Sequence, residues 1–327
     1  MNQPQLILAA LLLAPLAALP AADAPAKKSN ILFCFADDWG RYAGAYAGVE
    51  TRPSINQVVK TPNIDRMARR GVLFGNGVGV ALIAAGPGIT GGRVVDDFVN
   101  LMDLAPTFLE AGGVKPPDVM TGRSFMNVLR STQTGQIDPS RTQVVTGRER
   151  HVAAAREDNL PYPHRALRTA DFLYIRNFAP DRWPMGSPKF TSKADLPSLA
   201  ALEKNTFAAF GDMDASPTKA WLVRQYADPA WQWYYDFAFA KRPAEELYDI
   251  KNDPDQTKNL AAEPAFAERK TELSARLMKV LTDANDPRVT GDGKTFERPP
   301  FTEPNPVGAN TRNAAKDRKN AANQPKQ

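Results

Sequence analysis

The sequence predicts an α/β protein in two parts: a mixed sheet flanked by helices over residues 28–141, and a smaller antiparallel sheet with a long helix over residues 142–290. Short apolar runs, typical of buried strands, alternate with helical patterns in the first part. In the second part, strand-like runs precede a long amphipathic stretch at 263–284. Residues 291–327 are rich in Pro, Asn and Lys, which predicts a disordered tail.

The first elements follow from local patterns. The apolar run at 30–36 predicts a buried strand and a buried, inert thiol at Cys34. A helix is predicted to begin at Thr61, because Thr61 can cap it and Pro62 suits its first turn. A strand is predicted at 72–74 and a second helix at 100–111, with Asp103 on its solvated face.

The composition restricts the classes of function. Of 327 residues, 43% are hydrophobic and 24% charged, as in an ordinary globular protein. The net charge of +5 indicates either scattered surface charge or attraction to an anionic substrate, and without a dense basic helix it does not favour nucleic acid. One cysteine and two histidines exclude an intrachain disulfide and a multi-histidine metal centre.

The N-terminal segment has the pattern of an export signal. Residues 6–19 are apolar, and the small residues Ala21, Ala22 and Ala24 follow. The run is short for a membrane span, although no Lys or Arg precedes it, so an uncleaved anchor or a buried helix is the alternative. We expect residues 1–26 to be a signal peptide and the protein to be periplasmic or secreted.

Asp37 and Asp38 are the candidate metal ligands. They follow the predicted first strand, and ligands bind outside the carboxyl ends of strands in open α/β sheets. Adjacent carboxylates repel each other, and a hard cation such as Ca²⁺ relieves that repulsion. An acidic loop that caps a turn is the alternative interpretation.

Arg148, Arg150 and His151 are the candidate substrate-binding residues. They follow a predicted strand, so they can line a pocket and bind an anionic sugar; exposed side chains without a specific role are the alternative. An aromatic cluster further along predicts a core element, with sugar stacking as the alternative. Its members are Trp231, Trp233, Tyr234, Tyr235 and Phe237.

Several segments, in order, carry a resemblance to a known family. They are NILFCFADDWG at 30–40, TPNIDRMARRG at 61–71, DDFVNLMDLAPTFLEAGG at 96–113, GRERH at 147–151 and ELYDIKNDPDQTKNL at 246–260. Together they resemble the sulfatase family of the alkaline-phosphatase-like superfamily, in its bacterial heparan N-sulfatase-like (sulfamidase-like) branch. The resemblance implies hydrolysis of sulfuric esters or N-sulfoglucosamine, Ca²⁺ at Asp37 and Asp38, and a sulfated glycan or other sulfated small molecule as substrate.

The resemblance has an internal gap. In sulfatases a long stretch carries the pattern C/S-x-P/A-x-R, whose Cys or Ser becomes the formylglycine nucleophile, together with residues that hold sulfate and complete the calcium site. Here residues 75–96 bridge the matching parts, and they contain no Cys, Ser, Lys or His. The pattern occurs nowhere else in the sequence.

The gap predicts a truncated sulfatase-like N-terminal domain without turnover, with a calcium site that is weak or lost. Two alternatives stay open. One is a secreted, non-catalytic module that binds sulfated glycan. The other is an unrelated phosphoryl- or sulfuryl-transfer enzyme that acts through a Ser or Thr of this chain.

Overall fold

The structure is a computed structural model that describes residues 30–35, 40–50, 52–77 and 81–298. The chain divides into two compact units, the N-terminal unit up to Pro139 and the C-terminal unit from Ser140. Both contain helices and a sheet, so the predicted α/β class is confirmed. The predicted signal peptide, Asp37, Asp38 and the tail beyond residue 298 lie outside the described residues.

The N-terminal unit has a three-stranded mixed sheet in the order β2-β1-β3. β1 pairs with β2 antiparallel and with β3 parallel. Its regular elements are α1 (Pro62–Arg70), β1 (Val72–Phe74), β2 (Leu82–Ala84), β3 (Arg93–Val95), α2 (Leu104–Ala111) and α3 (Met126–Arg130), with 3₁₀ helices at Gly44–Gly48, Ile55–Gln57 and Leu101–Asp103.

The core of this unit forms where the sheet meets α3. Phe74 of β1 packs against Phe125 with ring centroids 5.4 Å apart, and Val95 and Val128 are fully buried beside them. At the start of α1, Thr61 does not cap the helix backbone as predicted; its hydroxyl donates to Asp65 at 2.8 Å instead. The predicted helix and strand nevertheless form at the expected positions.

The predicted buried strand at 30–36 is wrong over its described part. Residues 30–35 form no strand, Leu32 is 88% exposed and Cys34 is exposed as well. A strand needs a partner edge, and both edges of the central strand β1 are already paired with β2 and β3. Residues 30–35 do not add to the outer edge of β2 or β3 either, so their apolar side chains stay exposed.

The prediction of a solvated Asp103 is also wrong. Asp103 is buried, and its carboxylate accepts hydrogen bonds from the backbone N–H groups of Asn100 (3.1 Å) and Arg123 (2.8 Å). One turn later, Thr107 accepts a hydrogen bond from the N–H of Phe125 at 3.1 Å. The buried side of this helical segment is thus partly polar, because it satisfies the backbone of the neighbouring loop.

The C-terminal unit has a four-stranded antiparallel sheet in the order β4-β5-β6-β7, with one face covered by the long helix α7. Its regular elements are β4 (Val144–Arg148), β5 (His164–Arg168), β6 (Phe172–Asn177), α4 (Leu199–Lys204), α5 (Pro217–Arg224), α6 (Gln232–Phe239), β7 (Glu245–Asp249) and α7 (Ala267–Asp283). Shorter 3₁₀ helices lie at Glu157–Asn159, Lys193–Asp195, Thr206–Ala208, Pro264–Phe266 and Thr295–Glu297.

The α7 face of the sheet follows strand alternation. Leu167, Tyr174 and Leu247 lie side by side on β5, β6 and β7 and are fully buried. They pack against Leu273 and Leu277 of α7, which are four residues apart and share one helix face. The predicted antiparallel sheet with a long helix is therefore confirmed.

The start of the predicted disordered tail is ordered. Glu297 forms ion pairs with Arg182 at 3.0 Å and with Arg288 at 2.9 Å. These contacts hold the 3₁₀ helix at Thr295–Glu297 against the unit, because Arg182 belongs to a distant segment and Arg288 to the turn that precedes the helix. Among the described residues, no helix has both the length and the apolar character that a membrane span requires.

Candidate functional site

The predicted substrate-binding residues lie at and just after the carboxyl end of β4. Arg148 is the last residue of the strand and pairs across the sheet with His164 of β5. Arg150 and His151 follow in the loop, and His151 is exposed. The three residues are therefore close in sequence and structure, but their side chains have different surroundings.

Arg148 brings an uncompensated positive charge to this place. Within the described part of the chain, its guanidinium forms no ion pair. Burial first, and then the charge of Arg148, lowers the pKa of His164, so the imidazole is neutral at pH 7. A guanidinium without a carboxylate partner is a ready site for an oxyanion.

Two polar atoms beside Arg148 are buried and have no hydrogen-bond partner among the described residues. They are Tyr162 Oη and His164 Nδ1, and the two rings lie 6.1 Å apart between centroids. Burial, and secondarily the charge of Glu246, raises the pKa of Tyr162 to about 12, so the phenol stays protonated. Buried polar atoms are seldom left unpaired. These two atoms are therefore available to hydrogen-bond a ligand that binds beside Arg148.

The sequence reasoning missed Tyr162 and gave His164 no role. Tyr162 lies just before β5, and His164 is its first residue. The sequence of β5, HRALR, has two arginines and no run of apolar residues, so no strand was predicted there. Once β5 pairs with β4, His164 falls opposite Arg148. The available signal was the single aromatic-histidine pair two residues apart, which alternation would place on one face of a strand.

Arg150 points elsewhere. Its Nη2 donates to the carbonyl of Phe296 at 2.8 Å, and burial lowers its pKa. Arg150 therefore ties the β4 loop to the 3₁₀ helix at Thr295–Glu297, and its contribution to substrate binding remains a prediction.

Glu149, between these arginines, belongs to a buried ion-pair network. It accepts from Arg165 at 2.7 Å and from Arg288 at 2.6 Å. Arg165 also pairs with Asp286 at 2.6 Å, and Arg288 with Glu297. The network fixes the backbone directly after Arg148, since Glu149 is its immediate neighbour.

The predicted aromatic core element is mostly on the surface. Tyr235 of α6 is buried, four residues before the buried Phe239. The other four members of the cluster are 41–54% exposed: Trp231, Trp233, Tyr234 and Phe237. The short helix α6 has only one buried face, so most of its aromatic residues cannot reach the core.

The predicted calcium ligands Asp37 and Asp38 are not among the described residues. In the part of the chain that is described, no group of three or more His, Cys, Asp or Glu side chains is arranged to hold a metal ion. Calcium binding at Asp37 and Asp38 therefore remains a prediction.

Comparison with known proteins finds relatives among the sulfatases. Residues 70–185 match the family model described as "N-sulphoglucosamine sulphohydrolase, C-terminal". An ulvan-active sulfatase from Formosa agariphila is 26% identical over 66% of this chain and 30% of its own length. The human N-sulphoglucosamine sulphohydrolase is 27% identical over 63% of this chain and 36% of its own length.

Two solved structures are also similar. A protein solved in complex with its substrate D-glucosamine-2-N,6-O-disulfate matches 64% of this chain and 30% of that chain, with 19% identity and a TM-score of 0.39. A 2-O GAG sulfatase matches 65% of this chain and 31% of that chain, with 20% identity and a TM-score of 0.39.

The fold is α/β, and the segment matched by the family model runs through parts of both units. This chain is therefore similar to sulfatases, as the resemblance predicted. It spans about a third of the length of the curated relatives that it matches, at 30% and 36%.

Proposed function

We propose that this chain is a sulfatase-family protein that binds sulfated saccharides without hydrolysing sulfate esters. The observation that carries the proposal is the bridge at residues 75–96. Its strands β2 and β3 occupy both edges of β1, so a small three-stranded sheet stands where the resemblance expects the nucleophile segment. The sequence has no C/S-x-P/A-x-R pattern to supply that nucleophile elsewhere.

The physical reason for inactivity is the loss of both attack and charge stabilisation. Sulfate transfer requires a nucleophile at sulfur and positive groups around the developing oxyanion, and such charge stabilisation is usually the largest catalytic term. Neither Cys, Ser, Lys nor His occurs in the bridge. The remaining candidate contacts can bind an anion but cannot attack it.

Binding is supported by the uncompensated Arg148 beside Tyr162 and His164. A planar guanidinium donates two parallel hydrogen bonds to an oxyanion such as sulfate. The names of two relatives refer to ulvan and to N-sulphoglucosamine. From these we infer a sulfated glycan or another sulfated small molecule as the partner of this chain.

Two further expectations belong to the same proposal. We propose that Ca²⁺ binds Asp37 and Asp38 weakly at most, because Ca²⁺ prefers six to eight oxygen ligands and two adjacent carboxylates supply only part of that set. We also propose export to the periplasm or the medium, on the pattern of residues 1–26.

A turnover assay tests the inactive half of the proposal. The purified chain is incubated with an aryl sulfate and with N-sulfoglucosamine, in the presence of Ca²⁺. We expect no sulfate release above the rate without protein. Calcium-dependent release by this polypeptide would contradict the proposal, and release that disappears on substituting a single Ser or Thr would favour an unrelated transferase.

Heparin-affinity chromatography tests the binding half. The full chain should be retained on heparin and eluted by salt, because the contact is between charges. Arg148→Ala should elute at a clearly lower salt concentration, whereas Arg224→Ala, which removes an exposed arginine at the end of α5, should elute close to the unsubstituted chain. Equal shifts for both variants would show that only net charge matters.

A further inference from the structure

A cleft in the C-terminal unit begins just beyond the predicted contact residue His151. It has a volume of about 1040 Å³, and its two walls are the loop at residues 154–159 and the segment at residues 183–195. The walls are joined by a hydrogen bond of 2.8 Å from the N–H of Ser187 to the carbonyl of Ala155. This volume lies at the upper end for small-ligand pockets and suffices for more than one sugar ring.

The walls hold unusual backbone conformations. Four non-glycine residues that line the cleft have positive φ: Ala154 (60°), Asp158 (53°), Asn159 (55°) and Lys189 (61°). This region is costly for residues with a Cβ, and such residues persist where the surrounding structure imposes them, often at ligand sites. Four such residues around one cleft indicate that tertiary contacts hold its backbone in this costly conformation.

Close packing supports the same conclusion. Gly186 has φ of 94°, and a Cβ there would lie 2.8 Å from the carbonyl oxygen of Ala155. Arg156 is buried behind the cleft and donates to the carbonyls of Trp183 (2.7 Å) and Pro184 (2.6 Å) while pairing with Asp212. The two walls are therefore fixed before any ligand binds.

The charge of the cleft differs from that at Arg148. Glu157 and Asp158 are exposed at its rim, and neither forms an ion pair within the described part of the chain. The lining also holds the exposed Lys189, whose ammonium donates to the carbonyl of Phe207 at 3.0 Å, so the two rim carboxylates outnumber it. Ionised carboxylates accept hydrogen bonds from hydroxyl groups, and they repel sulfate. Arg148 lies near the cleft, because its charge, after the larger effect of burial, helps to lower the pKa of the lining residue Arg156. Its guanidinium has the opposite preference and attracts sulfate.

We propose that this cleft binds an unsulfated sugar unit of a sulfated saccharide whose sulfate is held at Arg148, and that Glu157 and Asp158 exclude sulfate groups from the cleft. The inference rests on the proposed function, since it assumes that the chain binds a sulfated saccharide. The inference adds that the chain prefers sparsely sulfated saccharides over fully sulfated ones. The reason is that the positive subsite at Arg148 and the negative subsite in the cleft lie near each other.

The test compares two tetrasaccharides of the same backbone, one with a single terminal sulfate and one sulfated on every unit. Their dissociation constants are measured by calorimetry for the full chain, for Glu157→Gln/Asp158→Asn, and for the control Glu263→Gln/Glu268→Gln. Asn suits the left-handed backbone at position 158, so the variant should fold. The control removes two exposed carboxylates near the start of α7, so it changes the net charge equally.

The cleft variant should bind the fully sulfated tetrasaccharide about ten times more tightly than the unsubstituted chain does, with at most a few-fold loss for the singly sulfated one. The control should leave the ratio of the two constants unchanged. An unchanged ratio in the cleft variant, or an equal gain in the control, would overturn the inference while leaving the proposed function standing. If the unsubstituted chain binds neither tetrasaccharide, both fail together.

Discussion

The two units reach a folded interior by different means. In the N-terminal unit, each strand has three residues and the core depends on apolar side chains such as Phe74 and Phe125, while most of the exposed large apolar residues of the described chain lie in this unit. In the C-terminal unit, the strands have five or six residues, and a network of ion pairs supplements the leucine core beneath α7.

The difference teaches how each unit should respond to substitution. The three-stranded sheet of the N-terminal unit is small, and much of the apolar surface of the described chain stays exposed around it. In the C-terminal unit, Glu149, Arg165 and Arg288 join segments far apart in the chain. Changes to charge should therefore affect the C-terminal unit most.

The largest expected effect comes from breaking that network. Arg165→Met leaves Asp286 without its 2.6 Å partner in a largely buried position, and removing one member of a buried pair costs about 3–5 kcal/mol. Urea unfolding followed by circular dichroism measures the loss. Lys279→Met, in an exposed pair with Asp283, should cost less than about 1 kcal/mol. Similar losses for both would show that the network contributes no more than surface pairs.

A smaller effect should appear as a dependence on pH. Burial and the charge of Arg148 place the pKa of His164 below 6.5 in the folded chain, against a counteracting charge on Glu246. As the pH falls through 6.5, the unfolded chain binds a proton that the folded chain does not, so stability decreases.

The two histidines provide a matched pair for this measurement. His164→Gln should flatten the decrease in unfolding free energy between neutral pH and the onset of carboxylate protonation, whereas His151→Gln, at an exposed position, should retain it. If His151→Gln flattened the curve instead, the buried imidazole would not be the group responsible.

The smallest effect is expected in the apolar run that was predicted as a strand. Leu32 is 88% exposed, so Leu32→Ser should change the unfolding free energy by less than about 0.5 kcal/mol. Leu73→Ala, at a position 3% exposed in β1, should cost about 2–5 kcal/mol. A large loss for Leu32→Ser, measured by thermal unfolding, would mean that this run is packed in solution.

Much of the fold could be predicted because its signals are local. Pro62 and Gly71 mark the ends of α1, and apolar periodicity marks α7. The ordering of Glu297 could not be predicted, because it depends on Arg182 and Arg288. The charge balance around Arg148 is equally non-local, since it depends on which carboxylates the other arginines have already engaged.

The amino-acid sequence by itself determined the α/β class, the family resemblance and the position of Arg148 at the end of a strand, because periodicity, turn residues and motif order are properties of neighbouring residues. Only the tertiary structure decided that the run at 30–35 is exposed and that His164 lies opposite Arg148. Burial and pairing depend on which edges and charges are already occupied by distant segments, and that occupation is fixed only when the chain folds.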